Sequence, residues 1–84
     1  MLHIKVLGPG CPNCQRLEQL AKGVVEELGL EATFQKVTRW DEIMKYNIFA
    51  TPGLVVNGKV VCSGRVPTKA EVTTWLTTAE MESA

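Results

Sequence analysis

The spacing of apolar residues in the first half of the chain predicts a strand followed by a long helix. Ile4 and Val6 alternate with polar residues over 2–7, as in a strand, and a Gly-Pro-Gly turn follows. From Pro12 to Leu28 the pattern becomes helical, because proline suits a first helical position and Gly29 suits a left-handed cap. The buried stripe of this helix is expected to comprise Leu17, Leu20, Ala21, Val24, Val25 and Leu28.

A second strand and a short helix are expected next. The apolar positions of the strand are Ala32, Phe34 and Val37. Thr38, with Asp41 three residues later, resembles a capping box that opens a helix. This helix should end near Tyr46, since Asn47 tolerates the left-handed conformation. Its inward face is expected to comprise Trp40, Ile43 and Met44.

The last part of the chain predicts a β-hairpin and a terminal helix. Asn57 and Gly58, the favoured pair for a two-residue type I′ turn, join two apolar segments, Leu54 to Val56 and Val60 to Val61. Further on, Thr68 and Glu71 form a second capping box. The buried stripe of the helix that it opens is expected to comprise Val72, Trp75, Leu76 and Ala79.

These elements predict an α/β fold in the order βαβαββα. The first two strands can pair in parallel through the helix between them, and the hairpin adds antiparallel strands. The result is a mixed four-stranded sheet with three helices. No repeat or linker divides the chain, so we expect one domain over residues 1–84.

Net charge, the lack of a targeting or membrane-spanning segment and the cysteine count narrow the classes of function that the chain can have. The formal net charge is zero at pH 7, which gives no indication of a nucleic-acid partner. The chain shows neither a secretory signal nor a segment long enough to span a bilayer, so we expect no membrane association. Three cysteines are an odd number for a disulfide-stapled secreted protein. We therefore expect a cytoplasmic protein whose cysteines serve redox or metal chemistry.

Cys11 and Cys14 stand about one helical turn apart, close enough to form a disulfide. Cys14 lies on the buried stripe of the helix, whereas Cys11 lies at its mouth. Unpaired amides and the helix dipole favour a thiolate at Cys11. We therefore expect Cys11 to attack a disulfide and Cys14 to resolve the mixed disulfide.

The Cys-Pro-Asn-Cys motif after a strand, together with Ala50-Thr51-Pro52-Gly53 before a hairpin, resembles the thioredoxin and glutaredoxin superfamily. The resemblance implies a thioredoxin-like fold in which Pro52 is cis and packs against the cysteines. It also implies that the Thr51 backbone pairs with an extended substrate. The expected activity is reduction of protein disulfides by a monomer that needs no cofactor and is recharged by a reductase or thiol donor.

The chain also departs from that family at several positions. Gly10 stands where thioredoxins usually carry a tryptophan, and Lys5 stands in place of their buried aspartate. Cys62-Ser63-Gly64-Arg65 lacks the glutaredoxin pattern for glutathione, so no glutathione site is expected.

Other interpretations remain open from the sequence. The segment that ends in Cys14 also resembles the opening of copper-chaperone domains, and two thiolates can bind Cu(I). A zinc site from Cys11, Cys14, Cys62 and His3 has suitable ligand types but not the paired spacing of zinc motifs. A non-catalytic adaptor that keeps the fold is a third class. Cys62 is expected to be a buried small hydrophobe, and Phe49 either packs in its loop or contacts substrate.

Overall fold

The computed structural model describes residues 1–82. Its elements, in chain order, are β1 (Leu2–Leu7), α1 (Pro12–Leu28), β2 (Ala32–Val37), α2 (Trp40–Ile43), a 3₁₀ helix (Met44–Tyr46), β3 (Gly53–Val56), β4 (Lys59–Ser63) and α3 (Lys69–Glu82). The predicted order βαβαββα is thus confirmed. No helix within the described range is both long and apolar enough to cross a membrane.

The four strands form one mixed sheet in the order β2-β1-β3-β4. β1 pairs in parallel with β2, so that Leu7 lies beside Val37 at the end of both strands. β3 runs antiparallel to β1 and brings Gly53 beside Leu7. The C-terminal end of β1 therefore meets the start of β3, and the segment before Gly53 lies next to the loop that leads into α1.

Two hydrophobic cores lie on opposite faces of this sheet. The larger core packs α1 and α3 against β1 and β3, with residues that include Leu2, Ile4, Val6, Leu17, Ala21, Val24, Leu54, Val72 and Leu76. The smaller core lies beneath α2 and the 3₁₀ helix and comprises Leu7, Val37, Ile43, Ile48 and Val55. The face of α1 that carries Cys14 is therefore held against the sheet by the larger core.

Left-handed residues end the helices and form the hairpin at the predicted places. Gly29 caps α1 with φ 66°, and Asn47 ends the 3₁₀ helix with φ 59°. Asn57 and Gly58 both have positive φ, as a type I′ turn requires. Before α3, Thr68 N–H donates to Glu71 Oε1 at 3.1 Å, and Glu71 N–H donates back to Thr68 Oγ1 at 3.2 Å. The second capping box is thus confirmed.

The prediction for the short helix was wrong in two respects. Arg39, not Thr38, precedes α2, no side chain caps it, and Asp41 instead pairs with Arg39 at 3.3 Å. α2 is only four residues long, so it presents a single side chain, Ile43, to the sheet. Trp40 and Met44, expected on the inward face, are 50% and 61% exposed.

Candidate active site

The site begins where the loop after β1 enters α1. Gly10, with φ +95°, turns the chain, and Cys11 follows in an extended conformation as the residue before the first helical turn. The Cys14 N–H donates a hydrogen bond to Cys11 Sγ at 3.3 Å. The sulfur of Cys11 thus occupies the place of an ordinary capping oxygen and satisfies one of the unpaired amides of the helix.

The two thiols have unequal surroundings. Cys11 is partly exposed, whereas Cys14 is 4% exposed and belongs to the buried residues. Hydrogen bonds from the Cys14 side chain and backbone N–H lower the pKa of Cys11, because they stabilise its thiolate. Burial raises the pKa of Cys14, since a charge is costly away from water. The predicted difference between the two positions is confirmed in burial, and the hydrogen bonds favour the thiolate form at Cys11 rather than at Cys14.

Gly8 leaves room for the Cys14 sulfur. A Cβ placed on Gly8 would collide with Cys14 Sγ and would lie 3.7 Å from the Cβ of Thr51. Gly8 is itself fixed to the sheet, because its N–H donates to the carbonyl of Val37 at 2.9 Å. The Cys14 sulfur and the Thr51 side chain therefore both lie next to Gly8.

The segment before β3 forms the other wall of the site. The Thr51–Pro52 peptide bond is cis, and Pro52 is buried. The Pro52 carbonyl accepts a hydrogen bond from the Gly64 N–H at 2.9 Å, which ties this segment to the loop after β4. Within residues 1–82, the Thr51 N–H and C=O take part in no hydrogen bond. Thr51 therefore offers a free backbone edge close to Cys14.

Two site features were not resolved by sequence reasoning. Phe49, for which packing in the loop and substrate contact were both open, is 95% exposed two residues before Thr51. Glu18 was not considered, although its position one turn after Cys14 on α1 was a readable signal.

Lys5, in the place of the family's aspartate, faces the smaller core, and its Nζ donates to the hydroxyl of Tyr46 at 3.0 Å.

Cys62 and His3 do not join the cysteine pair. Cys62 is 7% exposed in the larger core, where its thiol donates to the Arg65 carbonyl at 3.6 Å, so its expected role as a buried small hydrophobe is confirmed. The ring of His3 instead hydrogen-bonds to Thr33 Oγ1 at 3.1 Å. In the described part of the chain, no group of three or more His, Cys, Asp or Glu residues is arranged to hold a metal ion.

Comparison with known proteins agrees with this geometry. Residues 2–77 match the family model described as "Thioredoxin domain". A thioredoxin of Methanothermobacter thermautotrophicus is 43% identical over 72 residues, which cover 86% of this chain and 94% of that protein. A thioredoxin of Methanocaldococcus jannaschii is 38% identical over 72 residues, covering 86% of this chain and 83% of that protein.

Solved thioredoxin structures share the fold at low sequence identity. The germline-specific thioredoxin Deadhead of Drosophila melanogaster superposes with a TM-score of 0.64 at 16% identity, covering 92% of this chain and 79% of that one. The oxidised thioredoxin of Plasmodium falciparum superposes with a TM-score of 0.58 at 21% identity, covering 99% and 82% respectively. The predicted thioredoxin-like fold is therefore confirmed.

The pKa of Cys11 should depend on the hydrogen-bonding group at position 14. Cys14→Ala removes the side-chain donor, so we expect the pKa of Cys11 to rise and its reaction with iodoacetamide at neutral pH to slow. Cys14→Ser keeps a hydroxyl donor and should raise the pKa less. The measurement is the alkylation rate of Cys11 as a function of pH in both variants. Identical profiles would contradict the role of this hydrogen bond.

Proposed function

The chain belongs to the thioredoxin family and is a thiol-disulfide oxidoreductase of the thioredoxin type, and from that premise we propose that Cys11 and Cys14 are its redox-active pair. The observation that carries this proposal is the inequality of the two thiols. A partly exposed sulfur with a lowered pKa suits attack on a substrate, and a buried sulfur with a raised pKa stays protonated until the second step.

The proposed reaction has two exchange steps. In the first, the Cys11 thiolate attacks one sulfur of a protein disulfide, the substrate bond breaks, and one substrate thiolate leaves. In the second, Cys14 loses its proton and attacks Cys11 Sγ, which forms the Cys11–Cys14 disulfide and releases the second substrate thiolate. The substrate gains two electrons and the cysteine pair is oxidised. A reductase or another thiol donor then returns the pair to the dithiol.

Thr51 and Pro52 are proposed to hold the substrate. The unpaired N–H and C=O of Thr51 can add an extended peptide as a short strand beside Cys11. The buried Pro52 fixes this edge through its hydrogen bond to Gly64. Phe49 extends the surface with an exposed aromatic ring, which suits an apolar side chain of the substrate. We further propose that the protein acts as a monomer in the cytoplasm, where thiols are kept reduced.

Trapping of the mixed disulfide tests the roles of the two cysteines. Cys14→Ser should accumulate a covalent complex with a disulfide-containing peptide, because the first step proceeds and the second cannot. Cys11→Ser should not, since both remaining cysteine sulfurs, those of Cys14 and Cys62, are buried. Mass spectrometry of the quenched reaction gives the result, and Cys62→Ala serves as the control that should cycle normally. Equal trapping by the Cys11 and Cys14 variants would contradict the proposal.

Phe49→Ser tests the proposed substrate surface. If the exposed ring contacts apolar peptides, the variant should lose roughly tenfold in kcat/KM, corresponding to about 1.4 kcal/mol of lost contact. A small cyclic disulfide, which cannot reach the ring, should react as before. Met44→Ser is the matched control, because Met44 is also exposed but lies on the 3₁₀ helix. Unchanged peptide kinetics in the Phe49 variant, or an equal loss in the control, would contradict this contact.

A further inference from the structure

A small cavity lies beside Cys14, between α1 and the end of β2. Its volume is about 60 Å³, and the residues that line it include Cys14, Gly8, Glu18, Lys36 and Thr38. A buried thiol and a carboxylate therefore line the same half-open cavity. The cavity has room for about two water molecules, since one water occupies roughly 30 Å³ in the liquid.

The fold holds Glu18 at this cavity. Glu18 follows Cys14 by four residues on α1, and residues at this spacing are neighbours on one helix face. Lys36 on β2 lies 3.1 Å from Oε2 of Glu18, and Lys22 lies 3.2 Å from Oε1. The Glu18 side chain is only 16% exposed. Each carboxylate oxygen is thus held by an ammonium group, which restricts where the carboxylate can point.

Cys14 requires a proton acceptor nearby. It must lose a proton before it can attack Cys11, yet burial raises its pKa and keeps it protonated at neutral pH. Within residues 1–82, the charged and titratable groups that contact Cys14 or Glu18 are Cys11, Lys22 and Lys36. Cys11 is the nucleophile and the two lysines are cations, which leaves Glu18 as the proton acceptor at this cavity. Its pKa is lowered mainly by the hydrogen bond from Lys36, so it is ionised at neutral pH.

Building on the proposed function, we propose that Glu18 accepts, through water in this cavity, the proton that Cys14 loses when it attacks the mixed disulfide. The electron pair left on Cys14 forms the bond to Cys11 Sγ, and the Cys11–substrate bond breaks to release a thiolate. Because its lysine partners make Glu18 a weak base, it holds the proton only in passing. The proton leaves to solvent or to the departing substrate thiolate.

Glu18→Gln tests this role, because it keeps the size of the side chain and removes its basicity. In rapid-quench experiments with a disulfide-containing peptide, we expect the first step to be unchanged and the mixed disulfide at Cys11 to resolve about 100-fold more slowly at neutral pH. That value is the lower end of the range for a positioned base. The defect should shrink as pH rises through the pKa of Cys14, because Cys14 then ionises without help.

Glu27→Gln is the matched control on the same helix. Glu27 is 58% exposed and pairs with Lys69 at 2.7 Å, so its loss should leave resolution unchanged. Resolution in Glu18→Gln at the normal rate or faster would overturn the role of Glu18 while leaving the cysteine roles intact. A slowing that is equal at every pH would indicate a structural defect and would also overturn it. If the unsubstituted protein forms no mixed disulfide at Cys11, the proposed function itself fails.

Discussion

The contact between the Cys14 sulfur and the backbone of Gly8 is the constraint on which the site depends. Gly8 is fixed because its N–H binds the carbonyl of Val37 at the end of β2. The register of β1 with β3 then sets Gly53 beside Leu7 and brings Thr51 to the same point. Any side chain at position 8 would displace the Cys14 sulfur. Because Gly8 has no side chain, the sheet backbone itself positions the buried thiol.

The inequality of the two cysteines follows from this arrangement. The Cys14 sulfur lies against the sheet and is largely shielded from bulk solvent, whereas the Cys11 sulfur caps the first turn of α1 and is stabilised as an anion. Hydrogen bonds link the two, so stabilising the thiolate of Cys11 also disfavours ionisation of Cys14. In a dithiol of this kind, one sulfur attacks the substrate, and the other needs a proton acceptor before it can ionise. The carboxylate of Glu18, held by Lys36 at the same cavity, is placed to give that help.

Most of the fold was predictable because local signals agreed with the tertiary structure. The bounds of α1, the Asn57–Gly58 turn and the Thr68 capping box each depend on a few neighbouring residues. The short helix α2 was less predictable, because the Thr38–Asp41 pattern competed with an ion pair to Arg39.

The cysteine pair, and the position of Glu18 one helical turn later, were readable from their spacing, but the contacts made around them were not. Lys36 reaches Glu18 only because β2 lies beside β1 and close to α1, a contact between distant parts of the chain. The exposure of Phe49 likewise depends on how the loop before Pro52 packs. Such features depend on contacts between distant segments, and the periodicity of a single segment carries no information about those contacts.

The location of the disulfide in the oxidised protein tests the central claim most directly. The full chain would be oxidised, its free thiols alkylated, and its peptides mapped by mass spectrometry without reduction. The account predicts a single intramolecular bond between Cys11 and Cys14, with Cys62 recovered as a free thiol because it is buried in the larger core. A bond that includes Cys62, or oxidised protein that retains all three thiols, would contradict it.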